Sequence, residues 1–324
     1  MATVQRTVLI GVAAVLLSLL AGCTVAGHRT FLTVDFQESQ TLRYKFVSRR
    51  NIDTQWEPGK TSSSSESVEM IVAYTPIDIN PYGLTTIEAT CESVKASRTA
   101  ATGRQTTKAD AVKSLAGQIF NFTVDSTGRI ADYSQLNKLL YQAGENAFRK
   151  STKAGRVKDP DMIADFIATQ WFLWDPVASI QNPAKGLTIG QKWTSKLSVP
   201  TSMILQKARN VTYKLAEIRQ SENGRIAVIE SSYSAAESVP KGWPMPYTGQ
   251  FQLAGPFGFF LSILKGFNVK DLNGQGTELF NIDAGRTEQY NQNYQMTLGA
   301  SAPGPLGLDP KITIVQELTM QLLE

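Results

Sequence analysis

The sequence predicts an α+β fold: mostly antiparallel β-sheet in two degenerate β units with a helical pair between them. Three observations lead there. Short runs with alternating polar and apolar residues recur on both sides of the chain's middle. Two stretches with helical spacing lie between them. The two halves also echo each other, each carrying a hairpin-like pair and later a strand that ends in Asp…Gly-Arg.

The elements follow in chain order. Leu42-Arg43-Tyr44-Lys45-Phe46 alternates cleanly, as does Val68-Met70-Val72-Tyr74, although Ile71 breaks its polar face. The run from Ile87 to Cys91 alternates too. Ser62 to Ser65 and the Pro76–Pro81–Gly83 stretch read as loop and turn chemistry. Phe120 to Val124 is a strand that runs into the turn signature Asp125-Ser126-Thr127-Gly128. Ser134 can cap a helix that puts Leu136, Leu140, Ala143 and Ala147 on one stripe. Asp159-Pro160 opens a second helix, with Ile163, Phe166, Ile167, Trp171 and Trp174 on one side. Asp175-Pro176 ends it. Val211 to Leu215, a turn at Glu222-Asn223-Gly224, and Arg225 to Ile229 form the second pair. Phe280 to Arg286 then echoes Phe122 to Arg129, one residue shorter. Tyr294-Met296-Leu298 and Ile312-Ile314-Leu318-Met320-Leu322 close the chain as two more strands. Alternation of this kind implies antiparallel sheet with one buried and one wet face. Helices grouped between β units, not between successive strands, argue for α+β over βαβ.

The amino terminus has a different character. Arg6 is its only charged side chain before an apolar run from Val8 to Leu20. About 13 residues is short for a membrane span, which takes roughly 20, and fits the apolar core of a signal peptide. Leu20-Ala21-Gly22-Cys23 resembles the bacterial lipobox. That resemblance implies cleavage before Cys23 and a diacylglycerol on its thiol, with acyl chains such as palmitate holding the protein to a membrane. Thr24, as a residue other than Asp, favours the outer membrane under the enteric sorting rule. The expected organisation is 1–22 signal peptide, 23–30 tether, 31–132 first β unit, 133–180 helical insertion and 181–324 second β unit. The two β units could join in one composite domain.

Composition narrows the chemistry. A formal net charge of +4 with 19% charged residues is too mild for nucleic-acid binding. There are two cysteines and one histidine. With Cys23 acylated, Cys91 has no partner in the chain. It shares a face with Ile87 and Ala89 between two glutamates, so it reads as buried and inert. His28 lies in the tether, away from any rigid scaffold that a Ser-His-Asp or Cys-His site needs. No zinc, nucleotide or cofactor motif is present, so no catalytic residue, metal or cofactor is assigned.

Gly186-Leu187-Thr188-Ile189-Gly190-Gln191-Lys192-Trp193, the strand and Gly224 turn after it, and the Phe-x-Val-Asp-x-x-Gly-Arg strand resemble an uncharacterised family of β-rich bacterial lipoproteins. The resemblance implies architecture and location and carries no activity.

Three segments carry functional alternatives. Arg149, Lys150, Lys153, Arg156 and Lys158 form a basic run that reads first as a solvated loop and second as a lipid-headgroup contact. Trp171-Phe172-Leu173-Trp174 reads first as core and second as a lining for an apolar ligand. Gly255-Pro256-Phe257-Gly258-Phe259-Phe260 reads first as a buried element and second as a flap or partner surface. Asp125 and Asp283 read as turn residues. The expected function is a non-enzymatic, membrane-anchored envelope lipoprotein, in the outer membrane facing the periplasm. Trp171, Trp174, Phe257, Phe259 and Phe260 would form its surface for an apolar ligand or protein partner. The alternatives are a structural or scaffolding lipoprotein and a His-independent hydrolase.

Overall fold

Strand alternation persists well beyond the runs that announce it. The computed structural model describes residues 29–57, 59–99, 113, 115–125, 130–132, 134–135, 138, 186–198, 208–237, 267–300 and 311–323. These build one antiparallel sheet of eleven strands. They are β1 (Leu42–Glu57), β2 (Lys60–Ile79), β3 (Thr85–Thr99), β4 (Ile119–Val124), β5 (Ile130–Asp132), β6 (Lys192–Ser198), β7 (Ala208–Ser221), β8 (Gly224–Ala235), β9 (Phe267–Asn281), β10 (Arg286–Ala300) and β11 (Lys311–Leu323). Ser62 to Ser65, expected as a loop, lies inside β2, paired with Asn51 to Thr54 of β1. Pro76 also lies in β2, beside a register shift between Pro76 and Asp78 that spares its missing N–H.

The spatial order is β5-β4-β3-β2-β1-β11-β10-β9-β8-β7-β6. Each half of the chain is a meander, and the first and last strands of the molecule join them. β1 pairs with β11 from Arg43↔Leu323 to Gln55↔Lys311. This corrects the α+β expectation. Among the described residues the fold is a single antiparallel sheet, and no helix forms an element. The physical reason is that β1 and β11 each present an open ladder and the same apolar phase. Their pairing merges the two β units into one surface. A helical turn begins at Ser134–Gln135, while the expected helical stripes over 136–147 and 160–174 otherwise lie outside the described residues. No helix among the described residues is long and apolar enough to cross a membrane.

One face of the sheet is buried along its whole width. Tyr44, Phe46, Met70, Val72, Ile87, Phe122, Leu215, Ile229, Phe280, Met296 and Leu318 belong to one cluster. Even-numbered positions from Leu272 to Phe280, Tyr290 to Leu298 and Ile312 to Met320 point into it, and odd-numbered positions such as Gln275, Asn293 and Glu317 are exposed. Residues 29–37 form a strap that also contributes Leu32, Val34 and Phe36 to this inner cluster. The strap is tied at three points: Thr30 and Leu187 exchange two 2.8 Å backbone bonds, Asp35 N donates to Gly285 O, and Ser39 N donates to Pro76 O. Gly285, at φ 60, permits the crossing, because a Cβ there would lie 2.5 Å from Asp35.

Candidate functional site

A polar belt crosses the apolar inner face. Strand register shows how it is built. One cross-strand row reads Ile229, Glu278, Tyr290, Met320, Phe46, Met70, Val94, so a single carboxylate interrupts apolar side chains. The next row reads Tyr213, Ser231, Gly276, Gln292, Leu318, Ser48, Val68. The third reads Tyr233, Gly274, Tyr294, Gln316, Arg50, Glu66, Arg98. Beyond it the face is apolar again at Leu272, Met296, Ile314 and Ile52.

Hydrogen bonds link the belt in three groups. Ser231 Oγ and Tyr233 Oη lie 2.6 Å apart, Tyr233 and Tyr290 hydroxyls 3.2 Å apart, and Tyr290 Oη donates to Gln292 Oε1 at 3.0 Å. Tyr294 Oη donates to Gln316 Oε1 at 2.7 Å, and Gln316 Nε2 donates to Ser48 Oγ. Glu66 accepts from Arg50 Nε at 2.9 Å and pairs with Arg98 Nη1 at 2.7 Å. The Arg209 guanidinium lies 5.0 Å from the centre of the Tyr233 ring, over its face. Gly274 and Gly276 make room for these rings: a Cβ at Gly274 would lie 2.4 Å from Tyr294 Cβ, and one at Gly276 2.4 Å from Tyr233 Oη.

Burial changes the titration of the belt. Desolvation raises the hydroxyl pKa values of Tyr233 and Tyr290, keeping both protonated donors. It also pushes the Glu278 carboxyl up to about 7, against the lowering effect of the Thr287 hydroxyl that donates to Oε1 at 2.5 Å. Glu278 Oε2 and Gln292 Nε2 are buried and have no hydrogen-bond partner. Leaving a buried polar atom unsatisfied costs about 1–3 kcal/mol.

No family model matches the chain, and no curated protein matches it. Among solved structures, it is similar to a lipovitellin described for its lipid–protein interactions, at 13% identity and a TM-score of 0.45. That likeness covers 90% of this chain and 26% of the other, so the chain spans about a quarter of lipovitellin's length. It is similar to OccAB4 of Acinetobacter baumannii at 7% identity and a TM-score of 0.18, covering 89% of this chain and 99% of that one. Both likenesses are too slight to assign a fold family or an activity.

The sites expected from sequence fall elsewhere. Cys23, His28, Trp171, Trp174, Phe257, Phe259, Phe260 and the basic run 149–158 lie outside the described residues. Cys91 is buried, and desolvation pushes its thiol up to about 11, which suits an inert core residue. Asp283 is a turn residue as expected, and it reaches the neighbouring hairpin. It accepts from Arg225 N at 2.8 Å and pairs with the Arg225 guanidinium at 2.6 Å, which lowers its pKa. Among the described residues no three His, Cys, Asp or Glu side chains gather to hold a metal ion. The opposite face carries an open trough of about 760 Å³, lined by Lys214, Glu230, Gln275, Asn291, Asn293 and Glu317 among others. Lys214 and Glu230 pair there at 3.0 Å, as expected of a solvated sheet face.

The belt was missed from sequence, but it left a signal. Tyr290-Gln292-Tyr294-Met296-Leu298 and Ile312-Ile314-Gln316-Leu318-Met320 each place one glutamine at an inward position of an apolar alternation.

Proposed function

We propose that the protein is a non-enzymatic lipoprotein of the bacterial envelope, anchored through acylated Cys23 in the outer membrane and facing the periplasm. Its inner sheet face holds one amphiphile. The observation that carries this reading is the pair of unpartnered buried atoms, Glu278 Oε2 and Gln292 Nε2, in the polar belt that crosses the apolar inner face. An apolar tail would lie along Phe46, Met70, Met320 and Ile229. A hydroxyl or amide head would accept from Gln292 Nε2 and hydrogen-bond to Glu278, satisfying both atoms. The carboxyl, held near neutrality by burial, can donate or accept around pH 7.

A scaffold that works through its sheet edges is less well supported. Among the described residues the edge strands β5 and β6 run only 3 and 7 residues, and short edges limit strand addition.

Mass spectrometry of the mature protein purified from envelopes tests both parts. The intact mass reads the acyl modification on Cys23. The co-purifying lipid extract, compared with that of a Glu278→Leu/Gln292→Leu variant, reads the ligand. One amphiphile per chain in the wild type, lost in the folded variant, is expected. Equal amounts in both, or none in either, would sink the binding reading.

A further inference from the structure

We propose that the corner of the molecule formed by Phe31 and Ile189 docks on the bilayer into which the acyl chains of Cys23 are inserted. This rests on the anchoring reading above and adds an orientation to it.

Phe31 and Ile189 are 52% and 61% exposed. They flank the Thr30–Leu187 bridge, whose two 2.8 Å bonds fix the strap to the segment leading into β6. The Phe31 ring lies against Gly186, where a Cβ would come within 3.2 Å of Phe31 Cζ. The ring is therefore held outward by the backbone beneath it. The bonds from Asp35 to Gly285 and from Ser39 to Pro76 hold the rest of the strap, so the corner moves with the whole sheet.

Chain length selects the occupant. Arg29 lies six positions after Cys23, a stretch that fully extended reaches about 20 Å. Phe31 thus stays within about 27 Å of the acylated residue. A tether this short keeps the bilayer within reach of the corner. The local charge also suits lipid phosphate: Arg29 is exposed beside Phe31, and Lys192 is exposed three residues beyond Ile189. Ile119, equally bare at 58%, sits on β4 toward the opposite edge of the sheet, far from the tether. It supplies the internal control.

The test uses the full acylated chain in phosphatidylcholine vesicles that carry a nitroxide lipid labelled at shallow depth. Phe31→Cys, Ile189→Cys and Ile119→Cys each offer one reactive thiol, because Cys23 is acylated and Cys91 is buried. Each thiol carries an environment-sensitive fluorophore. Flotation with the vesicles first reads anchoring. Severalfold stronger quenching at 31 and 189 than at 119 is the expected result. A chain that floats but shows equal or no quenching at the three positions overturns the docking and leaves the anchor standing. A chain that fails to float overturns the anchor and the docking with it.

Discussion

Glu66 and Glu278 lie on the inner face, one in each half of the sheet, and the protein treats them in opposite ways. Glu66 on β2 sits between Arg50 and Arg98, and its two oxygens are engaged by the two guanidiniums. Glu278 on β9 has one hydroxyl donor, no cation bonded to it and one bare oxygen. Both positions belong to the same alternation, so strand geometry does not distinguish them. The difference lies in what the neighbouring strands place in register. Arg50 and Arg98 flank Glu66 directly, whereas Ile229 and Tyr290 flank Glu278. A fold that needed only stability could have placed leucine at 278. On the reading proposed above, the bare carboxyl lies in the half of the face that would take the ligand, whereas both oxygens of Glu66 are already engaged.

Glutamine at each site should move stability in opposite directions. Glu66→Gln leaves two guanidiniums facing an uncharged amide. Breaking a buried ion cluster in this way should cost about 3–5 kcal/mol, read as a lower urea midpoint at pH 7. Glu278→Gln should act with the opposite sign and only above acidic pH. The folded carboxyl titrates near 7 and the unfolded one near the ordinary 4.5. Between those values the folded state holds a proton that the unfolded state has released, so wild-type stability falls as pH rises. The loss accumulates to about 3 kcal/mol by pH 7 and is absent below the unfolded pKa. Glu278→Gln should therefore be more stable than wild type at pH 8 and equal to it near pH 4. Parallel urea titrations at the two pH values check this. A difference independent of pH would mean that Glu278 is not buried in its charged form.

The sequence carried one side of this comparison better than the other. Alternation located parts of nine strands, the phase that faces inward, and Cys91 as core, but neither β5 nor β6. It did not name partners: that β1 lies against β11 depends on residues more than 250 positions apart, and nothing local encodes it. The stripe of Leu136, Leu140, Ala143 and Ala147 has as clear a period as the strands do, and the α+β expectation follows from it. The belt was hidden for a related reason. A lone inward Gln or Glu looks like a lapse in an apolar pattern until register brings Glu278, Tyr290 and Gln292 together. Ser62 to Ser65 was missed because low-complexity polar residues favour loops, while cross-strand pairing to β1 holds them in β2.

The glycines of β9 sharpen the comparison further, since they let tyrosine rings lie close over the strand beside Glu278. Gly274→Ala would place a methyl 2.5 Å from Asn293 O and 2.8 Å from Tyr294 Cα, both backbone atoms that cannot rotate away. Overpacking of this kind should cost about 1–3 kcal/mol and lower the urea midpoint at every pH, in contrast to Glu278→Gln. If the substitution is neutral, the belt is looser than its register implies.

The smallest effect is expected where a carboxylate is paired but wet. Asp283 forms a geometrically good ion pair with Arg225, yet the two side chains are 43% and 52% exposed. Water screens such a pair, and holding the long arginine in place offsets part of the attraction. Asp283→Asn retains an acceptor for the Arg225 backbone N–H and removes only the charge. Its urea midpoint should match the wild type within error at pH 7. A clear loss there would mean that the link between the β7–β8 and β9–β10 turns depends on charge, placing Asp283 with Glu66 instead of with the solvated face.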